Sequence, residues 1–421
     1  MWKNILYYFI IIKLFHIILS DDDVSYILSN SGAKGVAVTS FSNELYLISS
    51  NQIYNIINQN FHSIKTNLND NINTRIQFYK NFEILEASIN LNTNESVFLI
   101  AENRGNGGMV NLYSLNVSSE INENNPKLIY NKISQFGDSR ISLINTGTDK
   151  YLLSYIINQY NFENIWFKYT AYEGFEILKT FNIIIDGDNT DSIDTKITTG
   201  MSCFLLYEQF PICFYSTRKN TTTTTSTSTS TTIKYSLNVV VMDIIFNSAF
   251  YDRFDSYIFT LVDNLDIIYY SKAIYLSNDY AVFCYMDQTK KLICLIKQLN
   301  LDFITLGLSS TDFSSQYTKT GCNSDINEID VIKIGENKFL VGCVNSNNNP
   351  SIDLITVDNS FSSISTTQLT TIQVNIKSTL TLFVHELTLD SNYYGFIYDD
   401  SGDNKIKYVY LNLPYFSLKD E

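Results

Sequence analysis

The chain has 421 residues and a formal net charge of −14, and only 17% of its residues are charged; it offers no cluster of Lys and Arg to meet phosphates, which excludes nucleic acid as a partner. Its length allows a large core. Aromatics make up 14%, with 30 Tyr and 27 Phe, and together with abundant Ile and Thr they favour the pleated, half-buried surface of β structure.

Taken in chain order, residues 1–20 read as a secretory signal: Lys3 supplies the positive start, 5–19 is mostly apolar, and Ser20 precedes Asp21, Asp22 and Asp23. The mature chain is therefore expected to be 21–421, a single domain in the secretory pathway, secreted or associated with the cell surface. No later stretch reaches the roughly 18 apolar residues of a spanning helix, so no transmembrane segment is expected in it.

A short strand at 24–28 stands alone. Then one pattern recurs: an apolar first strand, a polar turn, a nearly continuous apolar second strand, another turn and a third strand. The clearest copy is 141–156. The second strands are read at 44–48, 96–100, 151–155, 203–207, 281–285, 339–343 and 394–398, with spacings between their ends of 52, 55, 52, 78, 58 and 55 residues. The long interval holds a tract of almost pure Thr and Ser, expected as a disordered insertion over 218–233.

A period near 50 residues with about four strands per unit resembles the β-propellers. The resemblance covers most of the mature chain and rests on period and hairpin pattern, with no signature of a particular blade family. It implies an all-β ring of seven blades of about four antiparallel strands, and 24–28 would complete the last blade. Six or eight blades stay open, as does a pair of β-sandwiches.

The acidic stretch 186–194 is similar to the calcium loop of integrin-α-like propeller blades, with Asp186, Asp188, Thr190 and Asp194 as the oxygen donors that calcium would take. Asp191 stands where that family has Gly. Calcium is the one cofactor the sequence suggests. Sequons at Asn94, Asn116 and Asn220 are acceptors for N-linked sugar in a secreted chain.

Six cysteines in such a chain suggest disulfides. Cys203 and Cys213, like Cys284 and Cys294, are spaced to face each other across the turn between a second and a third strand. Cys322 and Cys343 remain to pin the connector before the sixth unit.

No catalytic motif is present. The sequence reading is therefore a non-catalytic, extracellular binding module, not an enzyme, that takes a protein or glycan on the loop face of the ring. The alternative is a propeller-fold glycan hydrolase with carboxylates at the central channel.

Overall fold

The computed structural model describes thirty β-strands and the turn and connector residues among them, the latter chiefly between Ser134 and Gly402, with side chains described mainly from Val97 onward. The first described strand is β1 (Ser25–Ile27). A first sheet follows: β2 (Ala37–Phe41), β3 (Glu44–Ser49), β4 (Gln52–Asn55) and β5 (Asn60–Ile64). The second sheet begins with β6 (Phe82–Asn90), β7 (Glu95–Arg104) and β8 (Met109–Val117). The chain then crosses back, so that the two-residue β9 (Glu123–Asn124) pairs in parallel with β5, before β10 (Lys127–Ile133) completes the second sheet on β8.

The third sheet is β11 (Ser142–Gly147), β12 (Lys150–Asn158), β13 (Asn161–Thr170) and β14 (Gly174–Ile184). The fourth is β15 (Asp194–Leu206), β16 (Phe210–Thr224), β17 (Thr229–Met242) and β18 (Ser256–Leu265). The fifth is β19 (Ile268–Ser277), β20 (Tyr280–Asp287), β21 (Leu292–Leu301) and β22 (Leu308–Asp312), with β23 (Tyr317–Lys319) also on β21. The sixth is β24 (Ile329–Gly335), β25 (Lys338–Val344), β26 (Pro350–Val357) and β27 (Ile364–Gln368). In the seventh, β28 (Ile376–Thr388), β29 (Ser391–Asp400) and β30 (Ile406–Leu411) are completed by β1, antiparallel on β30.

The first strands of the seven sheets touch in sequence, β2 to β6, β11, β15, β19, β24 and β28, and β28 touches β2 again. That closed ring makes the fold a β-propeller. Two consecutive sandwiches would not close it.

The apolar second strands follow from this geometry. A strand between two neighbouring sheets sends alternate side chains to opposite interfaces, so both sets must be apolar. In β20, Ala281, Phe283 and Tyr285 enter the core between the fourth and fifth sheets, while Val282, Cys284 and Met286 enter that between the fifth and sixth. In β25, Phe339, Val341 and Cys343 face the fifth sheet, while Leu340 and Val344 face the seventh. Full burial of one such large side chain contributes about 1.5–3 kcal/mol. At Gly395 in β29 an added Cβ would run into the Phe383 ring and the Val409 carbonyl, so the sheet closes there only over glycine.

The turns after the second strands repeat as well. Asp287 Oδ1 accepts from Thr289 N at 2.8 Å and Lys291 N at 3.0 Å, and Asn345 Oδ1 accepts from Asn347 N at 2.9 Å and Asn349 N at 3.1 Å. The connector into the next sheet then docks on the turn. Cys322 N donates to Lys290 O at 3.2 Å, and Ile376 N to Asn348 O at 2.7 Å. Short polar side chains that cap their own loop make such turns local and rigid.

The fourth sheet departs from the sequence reading in two ways. Residues 203–206 belong to the first strand, β15, and the second strand is β16. Of the tract expected to be disordered over 218–233, the described residues, 218–224 and 229–233, instead continue the β16–β17 hairpin, with Thr221 opposite Thr232 and Thr224 opposite Thr229. Threonine is β-branched and fits a pleated strand, so a Thr and Ser run extends a hairpin already nucleated by the sheet.

Three disulfides join Cys203 to Cys213, Cys284 to Cys294 and Cys322 to Cys343. The shift in the fourth sheet changes what the first one does. Cys203–Cys213 links a first to a second strand, not a second to a third, whereas Cys284–Cys294 links a second to a third. Among the described residues no helix is long and apolar enough to cross a membrane.

Candidate functional site

A first strand in this ring pairs along one edge only, and its other edge borders the central axis. Unpaired amides and carbonyls there need partners. The structure supplies them from short polar side chains on the neighbouring first strand. Ser142 Oγ in β11 accepts from Cys203 N in β15 at 3.0 Å. Ser202 Oγ in β15 accepts from Ala273 N in β19 at 3.1 Å and donates to Ala273 O at 3.0 Å. Asp330 Oδ2 in β24 accepts from Leu382 N in β28 at 2.7 Å. A belt of side chains thus runs from sheet to sheet around the axis, and Ser142, Ser202 and Asp330 are all buried in it.

Charge enters the belt at one place. Asp330 Oδ1 accepts from Val331 N at 2.9 Å and from the ammonium of Lys272 in β19. The Lys272 side chain keeps 26% of its surface open. Two amides and a cation satisfy the Asp330 carboxylate, so it is suited to hold charge in place and not to shuttle protons. The other carboxylates on the ring of first strands are Glu83 and Glu86 in β6, Asp194 at the start of β15 and Glu386 in β28, each placed here by its strand alone.

Two further buried acids lie away from the axis, on third strands. Glu163 in β13 accepts from Lys132 in β10 and Tyr155 in β12, and the Tyr155 and Tyr130 hydroxyls are 3.2 Å apart. Asp353 in β26 accepts from Lys319 at 2.8 Å on each oxygen and from Tyr317. Burial first, then the hydrogen bond to the acid, pushes the Tyr155 and Tyr317 hydroxyls far above their ordinary value. These clusters fasten one sheet to the next.

None of the acids that form contacts here, Asp330, Glu163 and Asp353, was singled out in the sequence, although each leaves a mark there: a lone carboxylate inside an apolar strand. Of the residues that were, Asp186, Asp188 and Thr190 lie outside the described residues, and Asp194 is placed only by its backbone in β15. Among the described side chains no group of three or more His, Cys, Asp or Glu is set to hold a metal. Asn94 lies outside the described residues, while Asn116 falls in β8 and Asn220 in β16.

No protein-family model matches the sequence, and no curated protein sequence matches it either. Solved structures do resemble the fold. A putative 6-phosphogluconolactonase from Bacteroides fragilis aligns over 90% of this chain and 95% of its own, at 7% identity and a TM-score of 0.45. The sialidase of Trypanosoma rangeli, in complex with sialic acid, aligns over 92% of this chain and 58% of its own, at 6% identity and a TM-score of 0.35. Prolyl oligopeptidase B from Galerina marginata aligns over 87% of this chain and 55% of its own, at 10% identity and a TM-score of 0.33. The likeness is one of fold, and no residue role is carried across.

All three carry enzyme names. On that finding two expectations are corrected: that the chain is a non-catalytic binding module, and that it is not an enzyme.

Proposed function

We propose that this chain is a propeller-fold hydrolase of glycans or related sugar derivatives, working in the secretory pathway or outside the cell. The reading is argued from the ring of first strands: Glu83 and Glu86 belong to β6, Asp330 to β24 and Glu386 to β28, strands that follow one another around one axis, with the partly open Lys272 on β19. Most glycoside hydrolases use two carboxyl groups, one to protonate the leaving oxygen and one to act as base or nucleophile. Asp330, saturated by amides and Lys272, is the positioning charge, which leaves the proton-transfer role to Glu83, Glu86 or Glu386. Three disulfides fit an oxidising compartment, and the signal at 1–20 and sugar on Asn94, Asn116 and Asn220 belong to the same proposal.

The test is a panel of chromogenic glycosides and sugar lactones with the wild type and with Glu83→Gln, Glu86→Gln and Glu386→Gln. Turnover by the wild type that falls at least a hundredfold in one variant, at unchanged melting temperature, supports the reading. A wild type that turns over none of the panel counts against it. Calcium at Asp186, Asp188, Thr190 and Asp194 is the cofactor proposal, and it predicts a melting temperature that rises with calcium and no longer does so in Asp188→Ala. A melting temperature indifferent to both calcium and chelator removes it.

A further inference from the structure

The ends of β16 and β17 form an arm that outruns its own sheet. β15 pairs with β16 only as far as Asp194 opposite Asn220, and β18 pairs with β17 only as far as Leu265 opposite Tyr235. β16 and β17 continue together through Thr221↔Thr232, Thr222↔Thr231, Thr223↔Ser230 and Thr224↔Thr229. At about 3.3 Å per residue this adds roughly 13 Å of two-stranded ribbon. Among the described residues no strand lies beside either of its edges.

Bare strand edges recruit other strands, and proteins blunt them with Lys, Pro, bulges or inward charges. This arm has none of these. Residues 221–232 are Thr and Ser throughout, and the pairing of β16 with β17 runs without a register shift. At the foot of the arm on β17, Ile233 is 45% exposed, a large apolar side chain beside the open edge.

We propose that a second copy of this chain pairs antiparallel along the free edge of β17, over residues 229–233, about a two-fold axis. A two-fold contact must be complementary to itself. An uncharged tract of near-identical residues is so by construction, and β-branched Thr opposite Thr is a favourable cross-strand pair. Each chain carries a net charge of −14, so two bodies repel at close range. An uncharged arm projecting beyond its sheet lets the copies meet while the bodies stay apart. Main-chain hydrogen bonds supply the affinity. Because every side chain in the tract is nearly alike, the pairing settles in more than one register.

This inference is independent of the hydrolase reading, and its test does not use activity. The full chain is produced in an oxidising periplasm that adds no sugar, and its mass is followed by sedimentation equilibrium. The wild type is expected to reach the mass of two copies as concentration rises. Replacing 221–232 by Asn-Gly, which recloses the hairpin between Asn220 and Ile233, is expected to return one copy at an unchanged melting temperature. If that deletion fails to fold, Ser230→Lys with Thr231→Lys keeps the arm, places like charges on the shared edge and is expected to sediment as one copy. A wild type that stays a single copy at every concentration overturns the proposal, as do variants that still form dimers.

Discussion

Two junctions in this ring solve one problem with different chemistry. Where the second sheet meets the third, Lys132 on β10 reaches a buried acid, Glu163, on the next sheet's third strand, and Tyr130 on the same strand meets the Tyr155 hydroxyl that also serves that acid; where the fifth meets the sixth, Tyr317 and Lys319 on β23 both reach Asp353. The second strands can be matched residue by residue, and one of the positions at which they differ bears on the acid. β12 and β25 both begin at a Lys that pairs with the Gly ending the preceding strand, Lys150 with Gly147 and Lys338 with Gly335. Five residues on stand Tyr155 in the first case and Cys343 in the second. Tyr155 adds a hydrogen bond to the acid, while Cys343 forms the disulfide to Cys322. A buried carboxylate must keep its partners or lose its charge. One junction holds those partners by hydrogen bonds alone, and the other ties their strand down covalently.

The largest expected effect comes from removing the more enclosed cation. Lys319 has 17% of its side chain exposed and spans both Asp353 oxygens, whereas Lys132 has 43% exposed and meets one oxygen of Glu163. Lys319→Met should cost about 3–5 kcal/mol at neutral pH, since it leaves a buried charge without its cation and only the Tyr317 hydroxyl on it. Lys132→Met should cost about 1 kcal/mol; Glu163 likewise keeps one hydroxyl, that of Tyr155, but the lost pair is half in water. Urea unfolding of the two variants decides it, and equal losses would mean the junctions do not differ as argued. Lys319→Met combined with Asp353→Leu should recover most of the loss, as apolar replacement of a buried pair often does.

Next in size is the covalent tie. The loop between Cys322 and Cys343 spans 21 residues, so losing it through Cys322→Ala with Cys343→Ala should cost about 3 kcal/mol on the chain-entropy account. The Lys319→Met penalty should grow in that background, because the strand carrying Tyr317 and Lys319 is then free to leave. A double-mutant cycle that adds without coupling would show that the disulfide and the acid act separately.

How much of this was legible in the sequence depends on the distance each contact spans. Strand positions could be read because β12, β20 and β25 are apolar on both faces, a property of the strand itself. Closure by β1 could be read because one strand was left over at the start and one place was open at the end. The fourth sheet was misphased because Thr and Ser carry no hydrophobic period, so the tract in β16 and β17 looked like an insertion when it extends both strands. The acids were missed because their partners lie in the preceding repeat, with Lys132 31 residues from Glu163 and Tyr317 36 residues from Asp353. A Tyr-x-Lys triplet does precede both third-strand acids, at Tyr130 and Lys132 and again at Tyr317 and Lys319. That repetition was the available signal. The Ser142 and Ser202 caps of the belt left none, because a Ser that caps a neighbour's amide looks like any other Ser.

The smallest effect at accessible pH is an alkaline one, and it compares the junctions without removing a charge. Tyr155 and Tyr317 are both held neutral, by burial first and by the hydrogen bond to an acid second, so the folded value of each lies above the ordinary 10.0. Above about pH 10 the unfolded chain gives up these protons and the folded chain keeps them. Their contribution to stability is therefore complete below that pH and lost as pH rises toward the folded value, by at most about 1.4 kcal/mol per pH unit for each tyrosine. Buried Tyr215 and Tyr285 shift the same way and steepen the common trend. Only variants assign the share of each junction. Tyr155→Phe and Tyr317→Phe should each flatten the fall in melting temperature between about pH 10 and 11 by the slope of one proton. With the disulfide intact, Tyr317→Phe should leave Cys322 and the connector in place, whereas Tyr155→Phe also deprives Tyr130 of its partner and should loosen β10. Hydrogen exchange in residues 127–133 that rises in Tyr155→Phe, with 317–322 unchanged in Tyr317→Phe, is the expected pattern. Equal loosening at both sites would mean that the covalent tie adds nothing the hydrogen bonds do not already provide.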